Sequence, residues 1–320
     1  MRIAAANVRP CWGKPDAGAE RVVEWIAQAA AEGVDLLAFG ETHLGGYPFW
    51  VSITDGTRWN APDQKEAFAY YLDTAVELEG PQLRLVSEAA AEHRVFTYLG
   101  IVERRSDTAR GSTYATLVAI DPEHGIVSAH RKVQPTYEEQ LVWANGDGNG
   151  LRVHTFTGRE GETARVGGLN CWENWLPQAR LAMYASGEDI HVSAWPGSVR
   201  NTSDITRFVA LEGRVFSLAA STILSRDDIP ADFPLAAALS GSEYTDGGSA
   251  IAAPDGDWLQ EPLAGEERLV VADIDLARVR EERQNFDPTG HYARPDIFRL
   301  KVDRRRLSVA DLGDEPVTLD

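Results

Sequence analysis

The chain has 320 residues and a formal net charge of −18, from 49 acidic and 31 basic side chains. A chain of this length can bury roughly three quarters of its unfolded surface, which indicates one large core or two closely packed halves. The negative charge repels phosphate backbones, and no basic cluster interleaved with aromatic residues offsets it, so we expect no nucleic acid partner. No stretch approaches the roughly 18 apolar residues of a membrane span, and the N-terminal MRIAAANVRP lacks the apolar run of a signal peptide, so we expect no membrane partner.

The chain has two cysteines, Cys11 and Cys171, which lie far apart in the sequence. They cannot form a disulfide framework, and no Cys/His spacing resembles a zinc site. This usage favours a reducing compartment. The sequence therefore predicts a cytoplasmic protein.

The first predicted elements are a strand over residues 1–8, an amphipathic helix over 17–32 and a buried strand over 34–39. The buried strand ends at Gly40 and Glu41. Loops at strand ends converge on shared pockets in α/β folds, so Glu41 is a candidate catalytic acid or base; capping of a loop is the alternative. The aromatic loop that follows, HLGGYPFW, suits a small apolar ligand, with core packing as the alternative for its rings.

The middle of the chain predicts helices over residues 60–79 and 81–94 and strands over 95–102, 113–120 and 126–133. Only four of the 31 basic residues are lysines, and one of them, Lys132, lies near the end of the last of these strands. A helical turn over residues 137–143 contains Glu138 and Glu139, and residues 145–150 form a glycine-rich loop. Lys132 is therefore a candidate functional cation.

Cys171 lies between a strand predicted over residues 166–170 and a helix predicted over 178–186. Near a helix N-terminus, reactive cysteines have pKa values of roughly 3.5 to 7.5, which makes Cys171 a candidate nucleophile. The alternative is a small buried apolar residue. Further strands are predicted over residues 151–156, 189–194, 215–224, 248–253 and 269–274, with helices over 204–214 and 275–284 and a loop over 223–242.

The pattern of one helix followed by two strands occurs about twice. No sequence repeat, linker or low-complexity segment interrupts the order of the elements. The pattern predicts an α+β or α/β fold in which two sheets pack face to face with helices outside, a four-layer α-β-β-α sandwich. A doubly wound dinucleotide-binding sheet is the competing fold, but no GxGxxG follows the first strand.

Five segments together resemble the signature blocks of the nitrilase branch of the carbon-nitrogen hydrolase superfamily. They are FGETHLGGYPFW, HRKVQPTYEEQLVWANGDG, GGLNCWENWLPQAR, HVSAWPG and GHYARPDIF. The resemblance runs from about residue 34 to residue 300, and the blocks around the lysine and the cysteine are the most specific. It implies a single carbon-nitrogen hydrolase domain over residues 1–300 and a C-terminal tail over 301–320.

The resemblance also implies roles for individual residues. Cys171 corresponds to the nucleophile, Glu41 to the general base, Lys132 to the cation that faces the reaction intermediate, and Glu139 to a second glutamate that orients the lysine or the water. The sequence departs from the family pattern at Gln140, where an arginine is usual, and at His43, where a phenylalanine is common. These changes affect substrate preference rather than the chemistry.

The implied reaction converts an organic nitrile and water to a carboxylic acid and ammonia through a thioimidate and a thioester, and it needs no metal or cofactor. Tyr47, Trp172 and Trp195 flank the chemical residues and are expected to line an apolar substrate pocket. The family also implies a homodimer or higher homo-oligomer. An amidase of the same superfamily and a catalytically silent assembly protein remain as alternatives.

Overall fold

The computed structural model describes residues 1–310; the last ten residues of the predicted tail lie outside the described part. The α-helices are α1 (Pro15–Ala31), α2 (Trp50–Ile53), α3 (Pro62–Asp73), α4 (Pro81–His93), α5 (Pro177–Ala185), α6 (Val199–Gly213) and α7 (Ala277–Arg283). The strands are β1 (Arg2–Asn7), β2 (Leu36–Ala38), β3 (Phe96–Arg104), β4 (Thr113–Asp121), β5 (Gly125–Arg131), β6 (Val153–Thr157), β7 (Thr163–Asn170), β8 (Ile190–Trp195), β9 (Phe216–Ser221), β10 (Ile223–Ser225), β11 (Glu243–Ala252), β12 (Trp258–Ala264) and β13 (Arg268–Asp273).

Local sequence explains where the principal helices begin and end. Four of them, α1, α3, α4 and α5, carry proline in the first turn, where the missing N–H has no intrahelical partner in any case. Helices α4 and α6 are followed by Arg94 and Arg214 in the left-handed conformation, which stops the helix. Helices α4 and α6 therefore have defined ends, after which the buried strands β3 and β9 begin.

The strands form two mixed sheets. The first has the order β13-β1-β2-β3-β4-β5, with β1, β2 and β3 parallel. The second has the order β10-β11-β9-β8-β7-β6, with β7, β8 and β9 parallel and β12 paired to β11. Each sheet thus has a parallel centre whose strand ends point the same way.

Two apolar layers show how the sheets stack. Alternate residues of β1, Ile3 and Ala5, pack in one core with Val192 and Ala194 of β8, so the sheets face each other. The other face of β1 packs in a second core with α1 and α4. Helices α5 and α6 cover the outer face of the second sheet. The predicted four-layer α-β-β-α sandwich is confirmed.

Several predicted bounds differ from the structure. The helix predicted over residues 60–79 is confined to α3, and the loop predicted over residues 223–242 contains β10 and two short 3-10 helices, Arg226–Asp228 and Ala236–Ala238. Strand β12 was not predicted. It contains Glu261 and Pro262, and its side chains are only partly buried, so it lacks the apolar alternation by which a strand is found in a sequence.

The first residues of the predicted tail pack on the body. Val302 contacts the apolar cluster of Leu151 and Met183, and the Leu307 N–H donates to Asp147 Oδ2 at 2.9 Å. Among the described residues, none of the helices has the length and apolar character needed to cross a bilayer.

Candidate active site

Three strand ends bring the main candidate residues together. Glu41 follows β2, Lys132 follows β5 and Cys171 follows β7, and all three side chains are at most 2% exposed. The Glu41 N–H donates to the carbonyl of Trp195 at the end of β8, with an N–O distance of 3.1 Å, and so ties the two sheets together. The site therefore lies between the two sheets, at the carboxyl ends of β2, β5, β7 and β8.

Glycine is required on the backbone beside this contact. A Cβ at Gly40 would lie 2.6 Å from the carbonyl oxygen of Trp195, and one at Gly100 would lie 2.1 Å from the carbonyl oxygen of Gly40. Both distances are shorter than side-chain carbons tolerate. The close approach of β2, β3 and β8 thus depends on residues without a side chain.

Lys132 lies between two carboxylates. Its Nζ is 2.8 Å from Glu41 Oε1 and 2.7 Å from Glu139 Oε2. Glu139 Oε2 accepts a hydrogen bond from this ammonium group, and the contact with Glu41 is an ion pair of similar length. Within residues 1–310, no further group donates a hydrogen bond to the Glu41 carboxylate. The ring of Trp143 lies 5.5 Å from the same ammonium group.

Glu139 is fixed by its own turn. It is the third residue of the 3-10 helix Tyr137–Leu141, and its Oε2 accepts the Thr136 N–H at 2.6 Å in a capping box. The hydroxyl of Tyr47 donates to Glu139 Oε1 at 2.9 Å. Glu139 can therefore hold the lysine in one position.

Cys171 has a left-handed backbone, with φ of 49°, and begins the 3-10 helix Cys171–Trp175. Side-chain atoms of Glu41, Glu139 and Cys171 all lie within 4.8 Å of one another. The α-helix predicted over residues 178–186 runs from Pro177 to Ala185, so it begins six residues after the cysteine. The helix-terminus effect we expected on the thiol is therefore limited to a five-residue turn.

Burial and neighbouring charges set the protonation of the cluster. Burial raises the pKa of Glu41 to about 8, although Lys132 opposes the rise. Burial and the Glu41 charge raise the pKa of Cys171 well above that of a free thiol, which contradicts the low value expected from its position. Burial lowers the pKa of Lys132, but the negative groups of Cys171, Glu41 and Glu139 more than compensate and raise it well above its usual value. The cluster thus combines a permanent cation with a carboxyl group that titrates near neutral pH.

Two carboxylates and a thiol at this spacing can also ligate a metal ion. The ammonium group of Lys132 lies within 2.8 Å of both carboxylates, in the position that a bound cation would share. The geometry therefore matches acid–base and nucleophilic chemistry better than metal ligation.

The three predicted pocket aromatics have different environments. The ring of Tyr47 lines a cavity of about 450 Å³ together with Phe49, Pro196 and Tyr244. Trp195 is fully buried, in one apolar cluster with Cys171. Trp172 is 48% exposed, with its ring centroid 6.3 Å from that of Trp175 on the surface. The cavity lining includes Tyr47 but neither tryptophan.

Sequence reasoning missed a group of residues just behind the reacting side chains. Glu173 accepts hydrogen bonds from the backbone N–H groups of Asn170 and Val133 and contacts His130 Nε2 at 2.9 Å. It joins the end of β5, which carries Lys132, to the turn that carries Cys171. The available signal was that His130 and Glu173 both belong to the signature blocks.

Comparison with known proteins agrees with this architecture. The sequence model of the carbon-nitrogen hydrolase family matches residues 2–284, and the chain belongs to that family. Within it, the chain is 35% identical to a nitrilase of Bradyrhizobium diazoefficiens over 90% of this chain and 87% of that protein. It is 32% identical to an aliphatic nitrilase of Rhodococcus rhodochrous over 95% of this chain and 80% of that protein.

Solved structures share the fold at low identity. A carbon-nitrogen hydrolase from Helicobacter pylori G27 superposes with a TM-score of 0.67 at 18% identity, over 93% of this chain and 96% of that chain. An amidase from Nesterenkonia sp. gives 0.61 at 18% identity, over 89% and 94%. These structures support the fold.

Proposed function

We propose that this protein hydrolyses an organic nitrile to a carboxylic acid and ammonia through covalent intermediates on Cys171. The observation that carries the proposal is the buried cluster in which Lys132 bridges Glu41 and Glu139 within reach of the thiol. The similarity to proteins named nitrilases supports the choice of a nitrile as substrate.

The first half of the reaction forms a thioimidate. Glu41 takes the proton of the Cys171 thiol as sulfur attacks the nitrile carbon, and it returns that proton to the nitrile nitrogen. A base with a pKa of about 8 suits this exchange because the proton must be both accepted and released near neutral pH.

The second half uses two waters. One water adds to the thioimidate carbon, the nitrogen gains protons through Glu41, and ammonia leaves as the carbonyl of a thioester forms. A second water then displaces sulfur, which gives the carboxylic acid and restores the thiol. Lys132 stabilises the negative charge of the tetrahedral centres, an effect commonly worth about 2.7–4 kcal/mol for one donor.

Glu139 acts in this scheme as the residue that positions Lys132, and Tyr47 links Glu139 to the cavity that we assign to the substrate. Phe49 and Tyr244 stack at 4.2 Å between ring centroids and form one wall of that cavity. An uncharged aryl or aliphatic group fits such a wall. Trp172 and Trp195 stay predictions as substrate contacts.

We also propose a homodimer formed through the outer faces of α5 and α6. Exposed apolar side chains cluster there, and an apolar patch of this kind marks an interaction surface. They are Trp172, Trp175, Leu176, Leu181, Phe208 and Leu211. Residues 1–300 form the single catalytic domain in this proposal, and the two free cysteines fit a cytoplasmic location.

The test is ammonia release from aryl, arylacetic and aliphatic nitriles and from the matching amides. Cys171→Ala should abolish release, whereas Cys11→Ala, which removes the other free cysteine, should leave it unchanged. Release from amides alone would assign the protein to the amidases. No release from any substrate would favour the silent assembly protein.

A further inference from the structure

Behind Cys171, a chain of buried polar side chains runs from the nucleophile to a carboxyl group. Asn174 Nδ2 donates to the carbonyl oxygen of Cys171 at 2.8 Å, and Asn174 Oδ1 lies 2.8 Å from His191 Nε2. The other ring nitrogen, His191 Nδ1, lies 2.9 Å from Glu188 Oε1. Asn174, His191 and Glu188 are all completely buried.

The chemistry of these groups fixes the direction of the hydrogen bonds from Cys171 to His191. The Cys171 carbonyl only accepts, so the amide NH2 of Asn174 must face it and the amide oxygen must face His191. His191 therefore carries a proton on Nε2. Its Nδ1 lies against Glu188 Oε1, and a proton between these two atoms completes the chain.

Ser193 Oγ donates to the same Asn174 Oδ1 at 2.8 Å, so this oxygen has two donors. The amide of Asn174 consequently cannot rotate without breaking buried hydrogen bonds. The chain is a rigid support for the Cys171 carbonyl.

The Cys171 carbonyl belongs to the same planar peptide as the N–H of Trp172. The hydrogen bond from Asn174 to the carbonyl oxygen therefore also fixes the direction of that N–H. Burial raises the pKa of the Cys171 thiol, and the Trp172 N–H is among the groups that lower it. The orientation of this peptide thus bears directly on the stability of the thiolate.

We propose that Glu188, His191 and Asn174 are positioning residues that hold the Trp172 N–H towards the reacting sulfur and the intermediates formed on it. This inference rests on the proposed role of Cys171 as the nucleophile. None of the three side chains touches the substrate. The contribution is made through one peptide group.

The test measures the pH dependence of Cys171 alkylation by iodoacetamide, together with kcat and KM. In Asn174→Asp and Glu188→Leu we expect the midpoint for alkylation to rise by about one pH unit, because the Trp172 N–H is no longer held towards the thiolate. We expect kcat to fall about tenfold with a smaller change in KM. Glu188→Gln can still donate to His191 Nδ1 and should stay within about twofold of the wild type.

Tyr98→Phe is the matched control, because it removes a different buried hydrogen bond, from Tyr98 to the carbonyl of Val166. It should lower thermal stability without moving the alkylation midpoint. Wild-type midpoints and kcat in both Asn174→Asp and Glu188→Leu would overturn the proposal; if one variant does not fold, the other decides. Alkylation tests the chain even if no nitrile is hydrolysed, so failure of the proposed function is seen separately.

A second inference concerns a basic basin on another face of the molecule. A cavity of about 800 Å³ lies between β6, β7, α5 and the segment after residue 300, and Arg152, Arg165 and Arg304 line it. Among residues 1–310, none of these three guanidinium groups pairs with a carboxylate; they bond to Asn149 O, Ser186 O and Ser186 Oγ respectively.

The basin concentrates positive charge in a strongly acidic chain. Arg165 and Arg304 both donate to Ser186, so two positive charges lie beside one residue. Within residues 1–310, no carboxylate pairs with either of them. His154 in the same lining has a pKa lowered to about 4, by burial and then by the charge of Arg152. Unpaired guanidinium groups that converge in a cavity match the bidentate recognition of carboxylate or phosphate.

We infer that this basin, which we call the arginine basin, binds a small oxyanion that carries carboxylate or phosphate groups. The apolar side chains of Val127, Val153 and Leu300 in its lining leave room for an uncharged part of such a ligand. The site is separate from the Cys171 cluster. Its ligand is therefore expected to bind without competing with the substrate.

Calorimetric titration with citrate and with inorganic phosphate tests the arginine basin and separates the two kinds of oxyanion. Arg165→Gln and Arg304→Gln should each weaken binding at least about fivefold, which is the loss of about 1 kcal/mol from one charged contact. Arg84→Gln is the matched control, since Arg84 is an exposed arginine that also lacks a carboxylate partner within residues 1–310.

Residues 311–320 carry Asp311, Asp314, Glu315 and Asp320 and no basic residue, so the same titration is run on a variant with these four acids changed to amides. Binding only in that variant would mean that the chain's own carboxylates compete for the basin, which overturns a free ligand as the occupant. No saturable binding in either protein, or equal binding in Arg165→Gln and Arg84→Gln, would overturn the site itself.

Discussion

At the scale of single residues, Lys132 is the group on which the cluster depends. It is held by two carboxylates at 2.8 and 2.7 Å. Glu139 is itself fixed by the Thr136 N–H and the Tyr47 hydroxyl, whereas no further group within residues 1–310 donates to the Glu41 carboxylate. This asymmetry separates the two acids. Glu139 holds the cation, and Glu41 keeps oxygens available for the proton of the thiol.

Replacing Glu139 tests this division. In Glu139→Gln the lysine loses its charged partner and can move, and a displacement of about 1 Å near the chemistry can cost about 10²-fold in rate. We expect kcat for a nitrile to fall by about that factor, with KM changed less. Steady-state kinetics of Glu138→Gln, the neighbouring acid without a role in the cluster, should match the wild type; an equal loss in both variants would contradict the assignment.

The raised pKa of Glu41 predicts a pH dependence. The base must be unprotonated, and burial raises its pKa to about 8, so kcat/KM for an uncharged nitrile should rise with pH and reach half of its maximum near pH 8. The pH–rate profile checks this. A half-maximum between pH 4 and 5 would mean that Glu41 is not perturbed and would argue against it as the limiting group.

At the scale of secondary-structure elements, the site depends on the close approach of β2, β3 and β8. The contact between the Glu41 N–H and the Trp195 carbonyl crosses from one sheet to the other. Gly40, just after β2, and Gly100, within β3, allow it because no Cβ separates the backbones. Packing of the two sheets and placement of Glu41 therefore depend on the same backbone contact.

Gly40→Ala should disrupt the contact between the Glu41 N–H and the Trp195 carbonyl. Its Cβ would lie 2.6 Å from a carbonyl oxygen, and overpacking of this kind costs roughly 1–3 kcal/mol of unfolding free energy. We expect a lower denaturation midpoint and loss of nitrile hydrolysis. Gly111→Ala is the control, because nothing lies within 4 Å of its Cβ position. Equal midpoints in the two variants would show that the approach of the strands is looser than the structure indicates.

The outer face of α5 and α6 should mediate self-association. Leu181 on α5 is 37% exposed and belongs to the apolar patch, whereas Leu85 on α4 is 39% exposed on the opposite outer layer. Leu181→Glu should therefore shift the sedimentation coefficient towards the monomer, and Leu85→Glu should not. A wild-type distribution in Leu181→Glu would place the interface elsewhere.

At the scale of the whole molecule, charge should select among substrates. The net charge is −18, and Glu243 lines the proposed substrate cavity. Among residues 1–310, no basic side chain belongs to the lining of this cavity. Like charge lowers both the local concentration and the binding of an anion. The molecule as a whole therefore favours uncharged or cationic nitriles.

This preference is measurable with nitriles of matched size that end in a hydroxyl, an ammonium or a carboxylate group. We expect kcat/KM for the carboxylate to be the lowest, and the differences to shrink at high salt because salt screens exposed charges. Glu243→Gln should reduce the discrimination, with Glu261→Gln on β12 as the control. A carboxylate substrate that reacts as fast as its hydroxyl counterpart would contradict the prediction.

The amino-acid sequence by itself determined the family, the four-layer architecture and the residue types of the cluster. Short blocks fix several residues at set offsets, and periodicity records which face of a helix or strand is buried. The ends of β2, β5 and β7, with Glu41, Lys132 and Cys171 beside them, were therefore predicted in the right places. Local patterns carry this information because each depends on near neighbours in the chain.

Only the tertiary structure decided the distances, the protonation and the direction of side chains. Tyr47 and Glu139 lie 92 residues apart, yet one hydrogen bond joins them, and no local pattern encodes such a pair. The pKa of Cys171 is raised rather than lowered because burial of the thiol outweighs the effect of the five-residue turn that starts there. Trp172 lies in the same turn, and its side chain is half exposed. Burial and long-range contacts are properties of the folded chain, so the sequence alone could name the candidate groups but not their environment.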